Sequence, residues 1–151
     1  MAMLKVFKYL KEDEYQALLK AAERKAYKPD AALIRQGEEQ TDIFIIVQGE
    51  VKVQRDHDGF MVDLTHAGPG AIFGDMSFIE GQPASAGVVA YGQETLAVII
   101  SHGQIHDFTT RDTGFAGRFY HSLAEILSRR LRETNDLVTD DVNPDALWGN
   151  N

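Results

Sequence analysis

Between Ala32 and about Ile100 the chain breaks into short runs of β-branched and aliphatic residues separated by glycine-bearing turns, and no other feature narrows the fold as far. DIFIIV precedes Gln48-Gly49, EVKVQ precedes Asp58-Gly59, MVDL precedes Gly68-Pro69-Gly70, and TLAVII follows Gly92. Several short strands at near-regular spacing predict a β-sandwich or jelly roll over residues 32–100, not a parallel sheet with crossover helices.

Helical periods flank this region. From Tyr9 to about Ala26, apolar positions Leu10, Tyr15, Leu18, Leu19 and Ala22 recur at helical spacing, which predicts an N-terminal helix ended by Pro29-Asp30. After His102 the period returns, and Phe115, Phe119, Leu123, Ile126, Leu127, Leu131 and Leu137 form a stripe on a long C-terminal helix over about 113–137. Such a stripe either packs back on the roll or pairs with its copy in a second subunit. Its continuation through Leu123, Leu127 and Leu131 favours a homodimer through this helix. One domain is therefore expected over 1–137, followed by an acidic, flexible tail over 138–151 in which Trp148 is either a docking anchor or a loose aromatic.

Charge and composition exclude several function classes. With 15 basic against 23 acidic residues the net charge is -8, so the molecular field repels DNA, RNA and anionic lipid. The absence of cysteine removes disulfides, iron–sulfur clusters and thiolate catalysis together. The opening MAMLKVFKYLKEDE lacks a signal-peptide pattern, and no segment reaches the roughly 18 apolar residues of a membrane span, so a cytoplasmic protein is expected. Only 14 residues follow Leu137, with three aspartates and no basic residue among them, so no DNA-binding helix-turn-helix is expected in this chain.

Catalysis finds no support either. None of the histidines His57, His66, His102, His106 and His121 forms the H-x-H of a metal-dependent barrel enzyme. Nucleophile-elbow, zinc-protease and Walker motifs are absent. His102 and His106, four apart, read as surface residues, and no metal or other cofactor is expected.

Phe73–Val88, FGDMSFIEGQPASAGV, carries the functional signal. Gly74 opening a short helix offers backbone amides to an anion, and Ser85 adds a hydroxyl beside the Ala86 amide. Helix, β-roll and long helix in that order, together with LIRQGEEQTDIFIIVQGEVKV and glycines at 37, 49, 70 and 74, resemble the cyclic-nucleotide-binding domain family from about Leu10 to Leu137. The resemblance implies a double-stranded β-helix, a cupin-like jelly roll, with an N-terminal and a long C-terminal helix. It further implies that the loop wraps the cyclic phosphate and ribose. Phe73, Gly74, Met76, Ser77, Gly81, Pro83, Ser85 and Ala86 match the loop pattern.

Three positions depart from that pattern. Asp75 replaces the glutamate that accepts from the ribose 2′-hydroxyl, Gly87 replaces a larger residue, and Ala84 stands where the family has the phosphate-binding arginine. A hydrogen bond to a charged group contributes about 1.5–3 kcal/mol, so this last change predicts cyclic AMP or cyclic GMP binding weakened roughly 10- to 10³-fold. Arg35, Arg55 or Arg118 could supply the missing cation from elsewhere in the fold. Family members with an R-R-L run on the long helix follow it with a Thr-Ser pair that reads the adenine edge, which makes Thr134 and Asn135 the corresponding candidates, or plain residues of a solvated face. The expected function is a stand-alone sensor domain for a cyclic nucleotide or another small anion, signalling through the long helix. Its alternative is a ligand-free platform for dimerisation or for an unknown protein partner.

Overall fold

Ile43–Ile46 is buried at every position, and the same holds for Ala97–Ile100. The cause is a sheet covered on both faces. Along these strands Ile43, Ile45, Val98 and Ile100 face the helices, while Phe44, Ile46, Ala97 and Ile99 face the interior of the roll. A strand covered on both sides reads as a continuous apolar run.

The computed structural model describes residues 5–141, with side chains through Asp136. In chain order the elements are α1 (Glu12–Ala21), β1 (Glu23–Tyr27), β2 (Ala32–Ile34), β3 (Ile43–His57), β4 (Phe60–Ala67), β5 (Ile72–Phe73), α2 (Asp75–Glu80), β6 (Gly87–Ile100), α3 (His102–Arg111) and α4 (Thr113–Asp141). Six antiparallel strands run in the order β1-β6-β3-β4, with β2 also pairing β6 and β5 also pairing β3. The expected mainly-β jelly roll with flanking helices is the observed fold.

Several boundaries differ from those the sequence suggests. The N-terminal helix ends at Ala21, not near Ala26, because Glu23–Tyr27 becomes β1 and pairs with Thr95–Ile99. Only Tyr27 of that strand is buried, so sheet pairing overrides the helical period that precedes it. The helix starts late as well. Glu14 reaches back to accept from the Lys11 amide at 2.8 Å, which sets the first turn at Glu12.

Gln48-Gly49 is not a turn between two strands. DIFIIV and EVKVQ lie mostly in one 15-residue strand, β3, whose register with β6 shifts on either side of Gln48. Gly49 takes φ 93°, and a Cβ there would lie 2.6 Å from the Glu94 carbonyl oxygen and 2.8 Å from the Thr95 hydroxyl. Only glycine fits this bulge without strain.

The helical period after His102 is divided between two helices. Ser101 caps α3 by accepting from the Gln104 amide at 3.2 Å. Asp112 then starts α4, its carboxylate accepting from the Gly114 amide at 2.9 Å. Helix α4 continues to Asp141, beyond the expected end near 137. The expectations for Trp148 and for the tail from residue 142 onward lie outside the described residues. Leu123, read as part of a dimer stripe, is instead core, buried with Phe115, Phe119 and Ile126 against the helix-facing side of the sheet. Leu127 is half-buried and Leu131 exposed.

Candidate functional site

The loop after β5 begins with a steric requirement. Gly74 takes φ 83°, and any Cβ there would collide with the Asp42 carbonyl oxygen. Glycine therefore lets β5 turn directly into α2, and the turn places Asp75 at the first helical position, 2% exposed. A lone carboxylate that deep is strongly disfavoured. Its partner comes from the other end of the chain: Arg130 of α4 donates through Nη1 to Asp75 Oδ1 at 3.0 Å and Oδ2 at 2.8 Å. The second terminal nitrogen, Nη2, donates to the Ile72 carbonyl oxygen. One guanidinium thus ties the long helix to both β5 and α2.

These groups border a cleft of about 170 Å³. Phe73, Gly74, Asp75, Met76, Ser77, Ala84, Ser85 and Ala86, the loop residues singled out in the sequence, all line it. Ile34, Val53 and Val88 of the roll give it an apolar wall, and Arg130 is the only cation on its lining among the described residues. Met76 sits half-exposed at the rim, whereas Ser77 is buried. The strand-entry side of the loop is fixed through main chain. The Ala84 amide donates to the Glu38 carbonyl at 3.0 Å, and the Ala84 carbonyl accepts from the Gly37 amide at 2.8 Å. The Ala84 methyl packs against the apolar interior of the roll.

The loop residues lie together around one cleft, and the arginine beside them is Arg130 instead of Arg35, Arg55 or Arg118. Arg118 is engaged elsewhere, with Nε 2.8 Å from Glu14 Oε1 on α1, and it holds the Glu14 carboxyl below the usual carboxylate range. Arg35 borders a separate groove of about 700 Å³ beside the β3–β4 hairpin, and Arg55 is exposed on β3. Thr134 and Asn135 do not line the cleft. Thr134 is exposed, and its hydroxyl donates back to the Arg130 carbonyl at 3.0 Å. The signal for Arg130 was nonetheless present: it belongs to the R-R-L run, one helical turn before Thr134.

Among the described residues no group of three or more His, Cys, Asp or Glu side chains could hold a metal ion, and no helix is long and apolar enough to cross a membrane.

A family model described as the cyclic nucleotide-binding domain matches residues 24–112. The chain is 29% identical over 136 residues to the cyclic AMP receptor protein of Thermus thermophilus, covering 89% of this chain and 60% of that one. It is 30% identical over 87 residues to the type II regulatory subunit of cAMP-dependent protein kinase from Drosophila melanogaster, covering 58% of this chain and 23% of the relative. The chain thus spans 60% or less of these curated relatives. Among solved structures, a cyclic nucleotide-binding domain from Methylobacillus flagellatus superposes with a TM-score of 0.83 at 24% identity, covering 93% of this chain and 83% of that one. The catabolite activator protein of Thermus thermophilus gives 0.75 at 28% identity, covering 91% and 62%.

Proposed function

The chain belongs to the cyclic nucleotide-binding domain family, and from that premise we propose that it is a non-enzymatic sensor domain whose cleft takes cyclic AMP, cyclic GMP or another small anion. The observation that carries this reading is Arg130. It brings a guanidinium into a cleft whose own loop has Ala84 in place of the family's arginine. Arg130 then serves as the cation for the ligand's phosphate, with the Ser85 hydroxyl and the Ser85 and Ala86 amides as further donors. Asp75 accepts from a ribose hydroxyl. Thr134 and Asn135, one turn further along α4, remain candidates for the base edge.

This assignment makes the ligand compete with the protein. Both Asp75 oxygens already accept from Arg130, and the cleft of about 170 Å³ is small beside the roughly 300–1,000 Å³ of small-molecule sites. A nucleotide enters only as α4 shifts and Arg130 exchanges Asp75 for phosphate. Ligand binding and helix position are therefore one equilibrium, and the ligand moves it by its differential affinity for the two poses. The output surface is the outer face of α4, where Tyr120, Leu127 and Leu131 recur at coiled-coil spacing and fit a homodimer. The expected setting is the cytoplasm.

The same ion pair favours a second reading, since it ties α4 to the loop through the protein's own groups. In that case the module is a ligand-free platform for its own copy or for another protein. Calorimetry and thermal shift with cyclic AMP, cyclic GMP and inorganic phosphate separate the two. Ligand at 100 times its dissociation constant stabilises the fold by about 2.7 kcal/mol. A melting temperature unmoved by millimolar nucleotide rules out the cyclic-nucleotide sensor, and one unmoved by phosphate as well favours the platform. Ala84→Arg, which restores the loop cation, is expected to tighten nucleotide binding by roughly 10- to 10³-fold.

A further inference from the structure

On the opposite side of β5 from the nucleotide cleft lies a second cleft, of about 290 Å³, between the N-terminal segment and α4. Its α4 wall is Ser122, Glu125, Ile126 and Arg129, spaced three, four and seven along one helical face. Lys5 and Lys8 approach from the N-terminal segment, and Ile72 forms the floor. Three cations and one carboxylate therefore meet in a chain whose net charge is -8.

The charges do not cancel within the cleft. Glu125 accepts from the Tyr9 hydroxyl through one oxygen and from the Lys8 ammonium, at 3.2 Å, through the other. Lys5 pairs outward with Glu12 at 2.7 Å. Arg129 has no hydrogen-bond or ion-pair partner among the described residues, while the Lys8 ammonium is held above its ordinary value chiefly by the Glu125 hydrogen bond, with Arg129 opposing weakly. Each lysine keeps ammonium hydrogens that no carboxylate uses, and the Arg129 guanidinium keeps its whole fork of donors.

We propose that this cleft binds a tetrahedral oxyanion of the phosphate class, seated between Arg129 and Lys8. An anion there gives Arg129 the counter-charge it lacks, with the guanidinium as the bidentate partner and the Lys8 ammonium as a second charge-assisted contact. The Glu125 charge is offset by the Lys8 ammonium and that of Lys5 by Glu12, which leaves the Arg129 guanidinium as the unbalanced cation of the cleft. The site is distinct from the nucleotide cleft and does not depend on nucleotide binding. The two linings have no residue in common, and Ile72 of the second cleft reaches the first only through its carbonyl, which holds Arg130.

The test is a titration of the full chain with inorganic phosphate, followed by amide NMR shifts, with chloride at matched ionic strength as the screening control. Saturable shifts centred on Lys8, Ile72 and Arg129 are expected. Arg129→Ala is expected to weaken binding by about tenfold or more, and Lys8→Ala by a similar factor. Arg132→Ala, an exposed neighbour that does not border the cleft, is expected to bind as wild type does. Phosphate shifts no larger than those from chloride overturn the proposal, as does an Arg129→Ala protein that binds unchanged. Shifts centred on Ser85 and abolished by Arg130→Ala instead assign the anion to the nucleotide cleft, and also overturn it.

Discussion

The two halves of α4 are held by different physics. The first half, through Ile126, is anchored by Phe115, Phe119, Leu123 and Ile126, each at most 4% exposed in the helix-facing core. The second half turns Leu131 to solvent, and its Arg130 is bonded to Asp75 and Ile72. Apolar burial is cumulative, so displacing the first half would expose all four side chains together. An ion pair can be exchanged for another ion pair at modest cost. The contrast puts the apolar anchor of the helix next to the roll and its ionic latch next to the cleft.

The largest effect is expected where the core half is cut. Phe119 is fully buried and meets the rings of Phe7, Phe78 and Phe115. Phe119→Ala is expected to cost about 3–5 kcal/mol in urea unfolding, with an unchanged m-value if the fold remains two-state. A cost below about 1 kcal/mol would mean that the first half is not the anchor.

Removing the latch is expected to cost less and to act locally. Arg130→Ala leaves the buried Asp75 carboxylate unpaired, but the arginine itself is partly exposed, so a loss of roughly 2 kcal/mol is expected. Hydrogen exchange should rise in the second half of α4 and around Asp75 while staying unchanged near Phe119. Asp75→Asn should release the same segment, and the double variant should cost less than the sum of the two single changes. Uniform exchange along the helix would erase the distinction between the halves.

A third, smaller effect concerns the join between α4 and α1. Arg118 holds Glu14 below its ordinary value of 4.5. A depressed folded-state pKa means that this contribution is fully present above the unfolded value and is lost as pH falls below it, through the folded value. Thermal stability should therefore decline on acidification below about pH 4.5, and Glu14→Gln should flatten part of that decline. Its cost at neutral pH is expected to be about 1 kcal/mol, since Arg118 is partly open to solvent. A wild-type and variant pair with parallel acid limbs would remove the Glu14–Arg118 bond from the account.

How far the sequence could be read follows from the same physics. The roll was legible because glycine-bearing turns and β-branched runs are local signals, and Gly37, Gly49, Gly70 and Gly74 all take positive φ. The loop residues were legible because they are contiguous. β1 was not, since Glu23–Ala26 is solvent-facing on every side chain and its strand character comes only from pairing with β6. The latch was not legible either. Asp75 and Arg130 are 55 positions apart, and nothing local to either residue names the other. The bulge at Gly49 was mistaken for a turn because both use glycine at positive φ, and only the partner strand distinguishes them.

The smallest effect on folding is expected at Leu131, and it bears on the latched half most directly. At 62% exposure this side chain contributes little to the isolated fold, so Leu131→Asp is expected to change stability by about 0.5 kcal/mol or less. If the second half of α4 pairs with its copy, the same substitution puts a carboxylate at the centre of a helix–helix seam, and sedimentation should show a dimeric wild type beside a monomeric variant. Equal monomer masses would leave the stripe of Tyr120, Leu127 and Leu131 to a partner other than this chain. Equal dimer masses would place the self-contact elsewhere on the molecule. In the expected outcome, Arg130→Ala should also weaken the dimer without touching the seam, because it frees the segment that carries Leu131. A latch inside one subunit would then control assembly between two.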